Sequence, residues 1–359
     1  MFGKKIVKKV NVKELSTIYD DIKANIKNKK RVYDFERYKL EYLQTACDMI
    51  NSNTYNGGIY NIFIIYEPKL RVIMSQKIID KIINHYITRT ILIPKMDKYL
   101  LEENTATRKN KGYNYAINLL KKGIEYYKRY PVFYFLKMDI KKYFYNIDHQ
   151  VLKNLIKPYL DEDEYKLMCS VLDSTNYNYV NRIINIISRK HHEDLPVYEF
   201  DKGLPIGNMT SQFLAVFYLY KLHHFIKHDL HIKYFVVYMD DYILLHQDKE
   251  YLKYCLKVIE DKLVKEYKLA LNKNKTMVVK STQGINFLGY RFIIKNKKTI
   301  IKLMQSSKKK IRKGIKRNLY KYSENYINYQ KLFNSMENYK NGYSCVNRKK
   351  VNEIIERII

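Results

Sequence analysis

The chain has 359 residues, 46% of them hydrophobic, which excludes a disordered protein and leaves room for two or three subdomains. Its 67 Lys and Arg against 36 Asp and Glu give a formal charge of +31, an excess that favours a polyanionic partner, nucleic acid first. No apolar run reaches the roughly 18 residues that span a bilayer.

Abundant Lys, Asn and Ile, 37 Tyr and no Trp point to an AT-rich coding genome. Such a bias inflates Lys, but it would raise Glu as well, so the uncompensated charge remains informative. Cys47, Cys169, Cys255 and Cys345 are far apart and form no C-x-x-C pair, which fits free thiols in a reducing compartment. Met1-Phe2-Gly3-Lys4-Lys5 is not followed by a signal-peptide apolar core. The expectation is a soluble cytoplasmic protein with no membrane partner.

Residues 1–58 read as helical and basic, with apolar spacing of 3–4 around Leu15, Tyr19 and Ile22 before Asn56-Gly57-Gly58 breaks the pattern. Ile59–Tyr66 is a strand-like run. Glu67-Pro68-Lys69-Leu70-Arg71 follows, with Lys69 and Arg71 on one face and suited to triphosphate oxygens. Ile78–Ile91 carries helical periodicity. Thr107–Gly112, with Arg108 and Lys111, is a basic turn before a helix near Tyr115–Tyr127.

Phe133–Met138 reads as a buried strand that ends in Asp139-Ile140, with Phe144 five positions after the acid. Lys153–Asn176 reads as helical, and Asp161–Glu164 as a helix-start cap. Lys202-Gly203-Leu204-Pro205-Ile206-Gly207-Asn208-Met209-Thr210-Ser211-Gln212 is a Gly/Pro loop that opens a helix from Phe213; such a backbone suits phosphate or template contact. Tyr234–Val237 and Tyr242–Leu245 are short apolar strands around Tyr238-Met239-Asp240-Asp241. Two adjacent carboxylates between buried strands are costly unless a cation neutralises them. Tyr251–Glu266 is an amphipathic helix, followed by Lys275 and by Phe287-Leu288-Gly289-Tyr290. From Arg291 to Arg317 there are 12 Lys and Arg and no acid. Ser306-Ser307 would cap a helix whose face of Lys308, Lys309, Lys310, Arg312, Lys313, Lys316 and Arg317 suits a phosphate backbone.

An acid closing a strand, a Gly/Pro loop opening a helix, an Asp-Asp hairpin, a lysine and an aromatic-Leu-Gly-Tyr turn, in that order, resemble the palm of a reverse transcriptase. The resemblance runs from about Ile62 to Phe292. Gly203–Asn208 with Thr210-Ser211-Gln212, Glu67-Pro68-Lys69, Arg108-x-x-Lys111-Gly112 and Phe287–Tyr290 are similar to the reverse transcriptases of diversity-generating retroelements. Tyr113-Asn114 and Leu70 depart from that pattern.

The resemblance implies an α+β right-hand polymerase: an N-terminal helical extension (1–58), fingers (59–130), a palm of antiparallel sheet and helices (131–292, with a fingers-like insertion about 160–200) and a helical basic thumb (293–359). It implies RNA-directed DNA synthesis with two Mg²⁺, Mn²⁺ being a substitute. Asp139, Asp240 and Asp241 are the catalytic residues and, with Ile140, the metal set. Asp139 and Asp240 are the ligands, and Asp241 supports them, set apart because adjacent residues on a strand point opposite ways. Lys69, Arg71, Phe144, Ile206, Gly207, Gln212 and Lys275 are placed on the nucleotide, with Lys275 near the leaving pyrophosphate. Phe287 to Tyr290 form the primer grip, and Arg108, Lys111, Lys308, Lys309, Arg312, Lys313 and Lys316 follow the nucleic-acid backbone. Implied partners are template RNA, primer or cDNA, dNTPs and a small basic accessory protein, and copying is error-prone at template adenines. The alternatives are a retron-like or antiphage-defence reverse transcriptase that copies its own non-coding RNA, and a non-catalytic RNA-binding relative.

Overall fold

The structure, a computed structural model, describes residues 9–66, 70–342 and 351–358. It is an α+β fold of helices and antiparallel sheets, as expected, and it divides into two compact units that alternate along the chain. One unit holds Met1–Leu101, Lys141–Leu222 and Lys262–Ala270; the other holds Glu102–Ile140, His223–Asp261 and Leu271–Ile359.

In the first unit, Asn11 starts the helix Val12–Lys23 with a reciprocal capping box, its side chain accepting from Glu14 N–H while the Glu14 carboxylate accepts from Asn11 N–H. The strands β1 (Tyr60–Ile65) and β2 (Arg71–Gln76) pair antiparallel. Their alternate residues Tyr60, Ile62, Val72 and Met74 pack on Val180, Ile184, Leu195 and Tyr198, the period-2 burial that a one-faced hairpin requires. The apolar run from Ile78 is α-helical only to Tyr86 and continues to Leu92 as a wider π-helical stretch. Asp161 and Glu164 form a second capping box at the start of Glu162–Asp173, as expected. The helix after the Gly/Pro loop starts earlier than expected, at Met209, because Asn208 is the last extended residue.

The second unit is built on a four-stranded antiparallel sheet in the order β4-β5-β3-β6, where β3 is Tyr134–Asp139, β4 Tyr234–Tyr238, β5 Asp241–His246 and β6 Met277–Lys280. β3 and β5 are central, which is why their sequences run apolar instead of alternating. Phe135, Val236, Ile243 and Leu245 share a core with Ala116, Ile117, Leu120 and Ile124 of the helix Tyr113–Tyr127.

A second sheet, β7 (Ile285–Phe287), β8 (Tyr290–Lys295) and β9 (Lys298–Leu303), joins the same core. Residues 293–303, expected within a helical thumb, are therefore largely strand, and the basic helix is Gln305–Ser323. Its N-cap is Met304, not Ser306 or Ser307; the Ser307 hydroxyl instead donates to the Gly289 carbonyl. Ser307, Ile311, Gly314 and Ile315 face inward. Gly314 is needed for close approach, since a Cβ there would collide with the Tyr339 ring. Among the described residues, no helix is long and apolar enough to cross a membrane.

Candidate active site

The three expected acids meet at one end of the four-stranded sheet. Asp139 is the last residue of β3 and Asp241 the first of β5, and the two are directly paired. Asp240 lies in the two-residue turn between β4 and β5, and its carbonyl accepts from Ile140 N–H at 3.3 Å. Met239, the other turn residue, has φ +57°. A non-glycine residue held there stores about 1 kcal/mol or more, a cost the flanking ladder sustains.

Directly opposed residues of an antiparallel pair share a face. Asp241 therefore stands on the same face as Asp139, and Asp240 is off the strand, so strand alternation does not set Asp241 apart. A lysine does. Lys137, two residues before Asp139 and so on its face, lies 3.3 Å from Asp241 Oδ1 and donates to the Asn286 carbonyl at 2.8 Å. Burial pushes the Asp241 carboxyl up to about 6, Lys137 opposes the shift, and Asp240 and Asp139 add to it. Asp241 Oδ1 is buried without a hydrogen-bond donor.

Asp139 has its own partners. Lys275 Nζ sits 2.6 Å from one carboxylate oxygen and Asn272 Nδ2 3.2 Å from the other. The Asn272 amide also donates to the Asp139 carbonyl at 2.7 Å, which fixes the loop that carries Lys275. Lys137 and Lys275 thus face Asp241 and Asp139.

Behind the site, Tyr242 on the opposite face of β5 shares a 2.8 Å hydrogen bond with His223. Burial holds this imidazole down at about 3, hence neutral. The donor set is all oxygen and includes Asp241 Oδ1, a buried carboxylate oxygen that has an ion pair but no hydrogen bond; this fits Mg²⁺ or Mn²⁺.

The other expected residues fall as follows. Lys69 lies outside the described residues, as does Cys345. Cys47, Cys169 and Cys255 are free thiols. In the first unit, Arg71 opens β2 and is exposed, Phe144 is half-buried in the short helix Tyr143–Asn146, and Gln212 is exposed. The Ile206 carbonyl accepts from Met74 N–H at 2.9 Å, which lays the Gly/Pro loop along β2. Gly207 has φ +132°, and a Cβ there would stand 2.8 Å from the Met74 carbonyl oxygen, so that close approach requires glycine.

In the second unit, Ile140 is buried. Arg108 donates to the Asn104 carbonyl at 3.1 Å, and the Lys111 ammonium lies 4.9 Å from the Tyr115 ring centroid. The Phe287 and Tyr290 side chains are in the core, and Leu288 and Gly289 form the turn between β7 and β8. Leu288 and Gly289 are half-buried. On Gln305–Ser323, Lys309, Arg312, Lys313 and Lys316 are exposed and Lys308 half-buried.

Lys137 and Asn272 are the site residues that sequence reasoning missed. For Lys137 the signal was present: a lone cation in an apolar strand, two positions from the acid.

A family profile described as "Reverse transcriptase (RNA-dependent DNA polymerase)" matches residues 67–292. No curated protein matches the chain in sequence. Among solved structures, it is similar to the apo telomerase from Candida tropicalis, at 13% identity over 84% of this chain and 57% of that one, with a TM-score of 0.51. It also matches telomerase from Candida albicans in complex with a TWJ fragment of telomeric RNA (14% identity, 85% of this chain, 62% of that one, TM-score 0.48). The likeness to the first of these is one of fold, and the chain spans a little over half of its length.

Proposed function

Because the chain belongs to the reverse transcriptase family, whose members use divalent cations, we propose that it is an RNA-directed DNA polymerase extending a primer with dNTPs on an RNA template. The observation that supports this most is the pairing of Asp139 with Asp241 beside Asp240. Two Mg²⁺ ions, or Mn²⁺ in their place, supply charge stabilisation at the attacking and leaving oxygens of an in-line phosphoryl displacement.

Asp139 and Asp240, with Ile140 beside them, would hold that charge. Asp241, fixed by Lys137, completes the anionic cluster without swinging free. Lys275 pairs with Asp139, and its half-exposed ammonium is the group assigned to the leaving pyrophosphate. Lys69, Arg71, Phe144, Ile206, Gly207 and Gln212 are assigned to the nucleotide, the 288–289 turn to the primer, and Arg108, Lys111 and the Gln305–Ser323 helix to the backbone. Residues 1–58 form the extension, 59–130 the fingers, 131–292 the palm and 293–359 the thumb. A cytoplasmic location agrees with the free thiols. Primer extension on an RNA template, with and without Mg²⁺, tests the reading; a chain that extends nothing in either condition removes it.

Phe144 follows Asp139 by five residues, where the resemblance places a ring beneath the sugar. Phe144→Ala opens space for a 2′-hydroxyl, and ribonucleotide incorporation should rise by tenfold or more in a competition of rNTP against dNTP. Unaltered discrimination would assign the gate to another residue.

Within the family, the Gly203–Gln212 loop supports a diversity-generating role: error-prone copying of a template-repeat RNA, with a small basic accessory protein. Ile206 stands where many reverse transcriptases have Gln. Gln can hold substrate and template by hydrogen bonds, whereas Ile offers only packing. One neutral hydrogen bond is worth about 0.5–1.5 kcal/mol, roughly threefold to tenfold in an equilibrium that bears on pairing. Ile206→Gln should lower misincorporation by a comparable factor, most at template adenine. Sequenced cDNA from both enzymes on one template is the measurement, and equal error spectra would sink this role.

A further inference from the structure

The first unit brings together three groups that the polymerase reading does not use. His149 is fully buried at the start of the helix His149–Ile156. Its Nε2–H donates to the Gly203 carbonyl at 2.7 Å, which leaves the Nδ1 lone pair bare. That Nδ1 is buried with no hydrogen-bond partner and points at Asp173 Oδ1, 3.8 Å away. Asp201 comes alongside because its carbonyl accepts from the His149 backbone N–H at 2.9 Å. Its carboxylate is braced by Asn176 Nδ2 at 2.7 Å. One ligand atom from each of the three residues lies within 4.8 Å of the others.

We propose that His149, Asp173 and Asp201 form a binding site for a first-row transition cation, with Zn²⁺ the favoured ion, built from residues other than the three polymerase carboxylates. An imidazole whose far N–H is held by a backbone carbonyl has the fixed tautomer of a metal ligand. The buried Nδ1 lone pair has no hydrogen bond to satisfy it, a cost that a bound ion would remove. Burial lowers the His149 pKa, which keeps the ring in the neutral form a metal needs. Donors about 2.1 Å from one ion stand roughly 3.4 Å apart, so the cluster closes by about an ångström. An imidazole beside two carboxylates selects Zn²⁺ over Mg²⁺, which prefers all-oxygen sites and retains its waters.

Lys153 is the competing cation, 2.7 Å from Asp173 Oδ1. It bonds the same oxygen that faces His149, so a divalent ion would displace it or move it to the other oxygen. The ion would staple the first turn of one helix to the last turn of Glu162–Asp173 and to the loop that leads into Ile206-Gly207.

The test is calorimetric titration of the full chain with Zn²⁺ in excess Mg²⁺, after chelator treatment, together with thermal unfolding. Asp201→Asn is the main variant, because Asn tolerates the left-handed φ of +52° and retains the bonds to Asn176. Asp173→Asn is the second. The expected result is one tight Zn²⁺ site that raises the unfolding temperature, with affinity falling tenfold or more in both variants. Absence of a saturable site, or unchanged affinity in Asp201→Asn, would overturn the proposal. Primer extension does not enter the readout, so this outcome is independent of the polymerase reading.

Discussion

Asp240→Asn is expected to reduce primer extension by about a thousandfold or more while RNA binding persists. The substitution keeps the shape of the turn, because Asn suits a tight turn as well as Asp. It removes one of the negative charges that would hold the cations. Cation stabilisation of the reacting oxygens is worth several kcal/mol, and each ~1.4 kcal/mol is tenfold in rate. The basic surface and the β3–β5 ladder are untouched, so the unfolding temperature should hold. Extension near the parental rate would remove Asp240 from the reaction. Asp139→Asn is a useful companion, since it also releases Lys275 from its 2.6 Å ion pair.

The second large effect is expected at Gln305–Ser323. Replacing Lys308, Lys309, Arg312 and Lys316 with Gln removes four charges from the exposed face and its flank and leaves Ser307, Ile311 and Ile315 in place. If these side chains track phosphates, each lost contact lowers the slope of log K against log salt by about 0.7 to 0.9. The slope on an RNA–DNA duplex should therefore fall by about 3, and affinity at low salt should drop by orders of magnitude. An unchanged slope would show that this helix does not meet the backbone.

The Asp240-Asp241 hairpin was legible because both of its strands are short apolar runs and the two acids lie at its turn. Asp139 was legible as an acid that ends a third run. Lys137 was hidden inside that run, where a lone lysine is easily absorbed into a buried strand. β8 and β9 were hidden by their lysines: the excess charge drew attention to a helical face and masked the alternation around Phe292, Ile294 and Leu303. Their turn, Asn296-Lys297, has both residues at positive φ, but it lacks the Gly that marks most such turns. The start of the helix at Met209 was obscured by the polar Thr210-Ser211-Gln212. The His149 cluster could not be read at all, because Asp173 and Asp201 reach it only through tertiary folding.

The pairing of β3 with β5 and β6 also sets when the cluster of Asp139, Asp240 and Asp241 can form. β3 is synthesised roughly 100 residues before the strand that holds Asp241 against Asp139, and its other edge waits longer still, for β6. At 5–20 residues per second, the apolar run Phe135-Leu136 spends about 5–20 seconds with both edges unpaired on a growing chain. The carboxylate cluster therefore forms only after β5 and β6 are made, and the nascent chain is a natural client for a chaperone that covers strand edges. Protease challenge of ribosome-stalled chains would show this: cleavage near residues 134–139 should persist until about residue 280 has emerged, and protection in much shorter chains would contradict it.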